Sequence, residues 1–177
     1  LSIIVEEVGR LDRVVGSFLD YARPYRGNAA VIDVNAAIEK TVAITRNDLP
    51  VDVHLNVDLG VEVPTVRIDP EHLRQVVVNL VRNSIQAMPA GGRIVLRARR
   101  QGGAAVTLEV EDDGPGLTDE QRARLFTPGF TTRTAGSGLG LVITERIVAD
   151  HGGRIVVRTA PGAGATFTLL LPNRKGS

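Results

Sequence analysis

The sequence predicts an α+β sandwich with helices on one face of a mixed, mostly antiparallel sheet, preceded by one helix of a separate bundle. Three observations lead there. Strand-like runs come in pairs around glycines, at 93–100 with 104–111 and at 154–159 with 165–171. Helical runs with their own start and stop signals lie between the pairs, so the order mixes hairpins with helices instead of repeating strand-helix-strand units. The opening residues carry a heptad pattern that sets them apart from the rest of the chain.

At 177 residues the chain accommodates one domain plus a modest appendage, and 43% hydrophobic residues suffice to build a core. Charge is nearly balanced at +1, with 3% aromatic residues and no Trp. That argues against a nucleic-acid reader built on a basic field and stacking rings. No Cys is present, which removes disulfides, thiolate metal sites and cysteine nucleophiles and fits a reducing, cytoplasmic setting. No apolar run approaches the ~18 residues that span a bilayer. A start at Leu1 suggests a piece of a longer protein, so any membrane attachment is expected only through upstream regions.

Ile4, Val8, Leu11, Val15, Phe18 and Ala22 alternate steps of four and three on one helix, widened by Ile3, Val14, Leu19 and Tyr21 to the broad apolar face of a bundle. Pro24 ends it. Residues 1–24 form this unit, 25–30 a linker, 31–173 the main domain and 174–177 a tail. In the main domain, Val31–Val34 reads as a strand, Asn35–Arg46 as a helix and Val51–Val57 as an alternating strand. Asp69, Pro70 and Glu71 open the strongest helix: a cap acceptor, a proline at the first turn and an acid on the positive dipole end. It runs to Ala87, before Pro89, Gly91 and Gly92. Thr118 with Gln121 is a capping box, Leu139–Asp150 is a further helix closed by Gly152, and two strands finish the chain.

Three segments carry unusual chemistry. Asn79 and Asn83 lie four apart on one face of the helix 69–87, where their amides either offer hard oxygen ligands to Mg²⁺ or bond within the core. Asp112-Asp113-Gly114-Pro115-Gly116-Leu117 comes directly after a strand. Its carboxylate can accept from an exocyclic amine such as that of adenine, and its glycines let backbone approach a flat ligand; the same residues also make an ordinary turn. Gly136-Ser137-Gly138-Leu139-Gly140-Leu141 opens a helix, where free N–H groups and the dipole make an anion site. It is neither a P-loop nor a dinucleotide fingerprint. Between the last two lies 125–135, a polar stretch suited to a lid, from which Arg133 could reach a terminal phosphate or stay solvated.

In this order the segments resemble the catalytic, ATP-binding domain of two-component sensor histidine kinases, in the wider GHKL group with gyrase, heat-shock chaperone ninety and MutL proteins. QVVVNLVRNSIQAM (75–88) is similar to the asparagine box, 112–117 to the first glycine box, LFTPGFTTR (125–133) to the phenylalanine box and GSGLGL (136–141) to the second glycine box. The resemblance covers essentially the whole chain, is nearest to nitrogen-regulation-type kinases, and implies the two-layer Bergerat ATP-binding fold.

It also implies site roles. Asn83 would ligate Mg²⁺, and Asp112, with Gly114, Gly116, Leu117 and Thr166, would hold adenine. Phe126 and Thr132 would belong to the lid, and Gly136, Ser137, Gly138, Leu139, Gly140 and Leu141 would cradle phosphates. Asn79 stands where hydrolysing relatives carry a glutamate, so water activation is disfavoured and transfer to a side chain favoured. Gln86 replaces a common lysine, whose part passes to Arg133 or Arg82, and Gly129 replaces an aromatic. The heptad helix resembles the second helix of a dimerisation and phosphoacceptor hairpin, implying a homodimer in the intact protein. The acceptor histidine would sit on the other helix of that hairpin; His54, His72 and His151 read as structural or surface groups. The implied activity is transfer of the ATP γ-phosphate to that histidine, for relay to a response regulator. The alternatives are a serine-kinase anti-sigma factor, disfavoured by the heptad helix, and a non-catalytic ATP-gated interaction module.

Overall fold

A computed structural model describes residues 28–103, 105–131 and 138–173. The heptad helix, most of the linker, the tail and the site candidates Thr132, Arg133, Gly136 and Ser137 lie outside the described residues.

Strand β1 (Ala30–Ile32) passes through Asp33 into helix α1 (Val34–Thr45), with Asp33 Oδ1 accepting the Ala36 N–H at 3.1 Å. This cap makes the fully buried Val34 the first helical residue and not the last of the strand. A short 3₁₀ turn (Arg46–Asp48) and a turn closed by Val53 N–H on Pro50 O at 3.0 Å delay β2 to Val53–Leu59. Val51, expected to open that strand, is instead 93% exposed. β3 (Val66–Ile68) was not anticipated: with only three residues it has no readable period, yet it pairs antiparallel with β1 and buries Val66 and Ile68.

Helix α2 (Pro70–Ala87) starts as its cap signals predict, with Asp69 Oδ1 accepting from Glu71 N–H at 2.9 Å. β4 (Gly92–Gln101) and β5 (Ala105–Asp112) form the expected hairpin. α3 (Asp119–Ala123) carries the full capping box, Gln121 N–H on Thr118 Oγ1 at 3.2 Å and Thr118 N–H on Gln121 Oε1 at 3.0 Å. α4 (Gly140–Asp150), β6 (Arg154–Thr159) and β7 (Ala165–Leu171) complete the order.

The main sheet has five strands in the order β2-β4-β5-β7-β6, parallel only between β2 and β4. The expected α+β sandwich with a mixed, mostly antiparallel sheet is therefore borne out. Alternation along the strands divides its faces. Leu55, Ile94, Leu96, Ala98, Val106, Leu108, Val110, Phe167 and Leu169 are buried beneath α2, which adds Leu73, Val76, Val77, Leu80 and Val81. α1 and α4 flank α2 and extend this core with Ile38, Ile143 and Ile147. The opposite face carries ion pairs joining Arg97 to Glu111, Arg99 to Asp58 and Arg158 to Glu109. Such partly exposed pairs contribute little stability, but they make this face polar, as a sheet covered on one side requires.

Candidate functional site

Helix α2 organises the site, because it touches the end of β5 at one point and the start of α4 at another. Five residues separate these points, about 7.5 Å of helical rise.

At the first point Asp112 ends β5 only 5% exposed. Its Oδ1 accepts the Gly114 N–H at 3.0 Å and its Oδ2 accepts the Ser84 hydroxyl at 2.9 Å. Gly114 is required by packing, since a Cβ there would come within 2.7 Å of Asp112 Oδ1 and 3.3 Å of Ala87. The β6–β7 turn closes over the loop from the other side. Gly116 has φ +68°, and a Cβ there would run into the Ala160 carbonyl; a Cβ at Gly164 would run into that of Asp112. Thr159 fastens the join, its hydroxyl accepting from Leu117 N–H at 3.0 Å and donating to Gly164 O at 2.7 Å. The glycines here admit neighbouring protein backbone.

The strand register corrects one expected site residue. Asp112 lies opposite Ala165, whereas Thr166 lies opposite Glu111 and Arg158. Neighbouring strand residues face opposite sides, so Thr166 belongs to the polar outer face and is not brought together with Asp112. The sequence position was one residue off, which reverses the face.

At the second point Asn79 Nδ2 donates to the Gly140 carbonyl at 3.4 Å. Thr144 donates to the same oxygen at 2.9 Å, inside the first turn of α4. The residue before this helix, Leu139, is buried and gives no side-chain cap to the first turn of α4. A Cβ on Gly140 would meet nothing within 4 Å, in contrast to those of the Asp112 loop. Gly138 is held differently: its φ is +65°, its carbonyl accepts from Gly129 N–H at 3.3 Å, and a Cβ would press on Gly129 and Phe130. Leu141 is half-buried beside Gly140. Half-buried Asn83 lies one turn beyond Asn79 on α2, and exposed Gln86 continues that stripe. Leu125 is buried, Phe126 half-buried, and the Arg124 guanidinium lies 4.6 Å from the Phe130 ring centre.

The far end of α4 is tied to α2 as well. Buried His151 bonds Ile147 O through Nδ1 at 2.7 Å and accepts the Asp69 N–H at Nε2 at 3.3 Å, which assigns its proton to Nδ1. His72 packs edge-on against it, ring centres 5.5 Å apart. Burial lowers the pKa of His72 below the ordinary histidine value and His151 adds to this, against the opposing pull of Asp69 and Asp150. His54 is exposed on β2.

Ser84 and Thr159 are the residues that sequence reasoning missed. Ser84 had a signal: it comes seven residues after Val77 and three after Val81 on the buried stripe of α2, a hydroxyl where the pattern calls for an aliphatic group.

The arrangement offers a fixed carboxylate acceptor near one end of α2 and, near its middle, the start of α4 bonded to Asn79. Comparison with known proteins identifies the family. Residues 68–175 match the family model described as histidine kinase-, DNA gyrase B- and HSP90-like ATPase. The chain is 36% identical to the sensor histidine kinase ZraS of Escherichia coli over 96% of its own length and 37% of that protein's. It spans about a third of the length of the curated relatives ZraS and AtoS of Escherichia coli. Among solved structures it is similar to full-length ShkA in complex with AMPPNP, with 26% identity, a TM-score of 0.84, and coverage of 99% of this chain and 38% of that one. It is likewise similar to the histidine kinase ThkA in complex with the response regulator TrrA, with 26% identity, a TM-score of 0.82, and coverage of 97% and 50%. The fold, the site and these matches place the chain in the histidine kinase-, DNA gyrase B- and HSP90-like ATPase family.

Proposed function

We propose that this chain is the ATP-binding catalytic part of a sensor histidine kinase, which transfers the γ-phosphoryl group of ATP to a histidine for relay to a response-regulator aspartate. The carrying observation is the pair of contacts on α2: a carboxylate fixed by Ser84 and Gly114 at one, the start of α4 bonded to Asn79 at the other. Their spacing suits a nucleoside with its base at Asp112 and its phosphates at α4. Asp112 would accept the adenine amine, while N–H groups of residues 138–141 would receive the phosphates, aided by the helix dipole.

The amide oxygens of the α2 face suit a hard divalent cation held mainly by phosphates, and Asn83 is the proposed Mg²⁺ ligand. Mg²⁺ would supply charge neutralisation at the phosphates. Asn79 has an amide and no basic carboxylate, so it cannot take a proton from water, which favours transfer to histidine over hydrolysis. Its bond to Gly140 gives it the further task of holding the start of α4. Gln86, Phe126, Thr132 and Arg133 are proposed to line the phosphate end, with Arg82 or Arg133 in place of a lysine. Homodimerisation through residues 1–24 and a cytoplasmic setting belong to the same proposal.

The test is phosphoryl transfer. The chain is mixed with γ-labelled ATP and a helical hairpin that carries a phosphoacceptor histidine. Acid-labile, alkali-stable label on the hairpin is expected, with none on His54, His72 or His151 of this chain. Release of inorganic phosphate in place of transfer would contradict the kinase reading.

A further inference from the structure

We propose that Ser84 is a positioning residue that sets adenine selectivity by fixing the Asp112 carboxylate, an inference that rests on the nucleotide-binding reading above. The geometry is specific. Ser84 is 1% exposed on α2, in the layer opposite the strand that carries Asp112, and its hydroxyl donates to Oδ2 at 2.9 Å. A helical serine commonly bonds the carbonyl one turn back, as Thr41 and Thr144 do in this molecule; Ser84 directs its proton across the layers instead. The second donor, Gly114 N–H, reaches Oδ1 from the loop, so two elements each hold one oxygen and the carboxylate plane cannot rotate.

The residues paired with Asp112 across the sheet are Ile94 and Ala165, and neither has a polar side chain. The serine proton is committed to Asp112, so Ser84 Oγ and both carboxylate oxygens have only lone pairs left to offer. Such a surface accepts a donor edge and repels another acceptor. The 6-amino group of adenine is a donor of this kind, and the contact made by a fixed acceptor is lost steeply when the ligand lacks the amine.

A two-by-two comparison separates positioning from general support. Calorimetric titrations with Mg²⁺ use ADP and the diphosphate of purine riboside, which lacks only the 6-amine, against the unmutated chain and Ser84→Ala. ADP is expected to bind about tenfold more weakly to Ser84→Ala, the effect of one hydrogen bond to a charged group, while the amine-free nucleotide changes by less than about twofold. Ser84→Cys keeps a similar volume with a weak donor and is expected to lower the ADP preference by a smaller factor. Equal losses for both nucleotides, or an undiminished ADP preference in either variant, would overturn the inference and leave the nucleotide reading intact. An unmutated chain that binds neither nucleotide would overturn that reading and this inference with it.

Discussion

Glycine does opposite work at the two ends of the site. Around Asp112, the Cβ positions of Gly114, Gly116 and Gly164 are occupied by neighbouring protein atoms, so these glycines let the loop interlock with its surroundings. At the start of α4, no atom of the described residues lies within 4 Å of a Cβ on Gly140, so nothing in their packing needs a glycine there. The difference teaches that a glycine-rich motif is two kinds of site. One end is held by interlocked atoms; the other leaves room for a side chain at Gly140 among the described residues.

Gly116→Ala attacks the interlocked end and should have the largest effect. Left-handed backbone strain plus the clash with the Ala160 carbonyl should cost about 3 kcal/mol or more. Thermal unfolding should show Tm lower by about 10 °C, with nucleotide binding reduced as the loop is displaced. An unchanged Tm would mean that the turn and loop are not interlocked. Gly140→Ala addresses the open end. An alanine in the first turn of α4 is favoured over glycine by about 0.5–1 kcal/mol, so Tm should hold or rise slightly. Affinity for ATP analogues should nevertheless fall by about tenfold, because the added methyl group would stand where a phosphate approaches and weaken its bond to the backbone N–H. Full affinity would remove α4 from the phosphate role.

The smallest effect belongs to the His72–His151 tie that docks the far end of α4. His72 has its pKa lowered by burial, so the unfolded chain binds more protons than the folded one just below pH 6.5. Its contribution is present above that pH and is lost as pH falls toward the folded-state value. Tm should therefore decline between pH 7 and pH 5.5, and the decline should be shallower in His72→Gln. An identical slope would assign the pH dependence to other groups.

Local signals made much of the fold legible. The caps at Asp69 and Thr118, the glycines between β4 and β5, and the alternation in β6 and β7 act within a few residues, and those elements lie within a residue or two of where they were expected. The Asp33 cap and three-residue β3 were overlooked, because one is a single side-chain bond and the other exists only by pairing with β1, some 36 residues away. The site was legible as motifs but not as faces. Thr166 was expected at the adenine edge, but the partner of Asp112 across β5 and β7 is set by a long-range register, which places Ala165 there. Ser84 was overlooked for the same reason, since its stripe is visible in sequence but its bond to residue 112 is not.

The most direct measurement is a calorimetric titration of a non-hydrolysable ATP analogue with Mg²⁺ into the chain, beside Asp112→Asn and Asn83→Ala. The account predicts binding to the unmutated chain, its loss in Asp112→Asn, and loss of the Mg²⁺ dependence in Asn83→Ala. Binding by Asp112→Asn as tight as that of the unmutated chain would contradict the placement of the base at the end of β5.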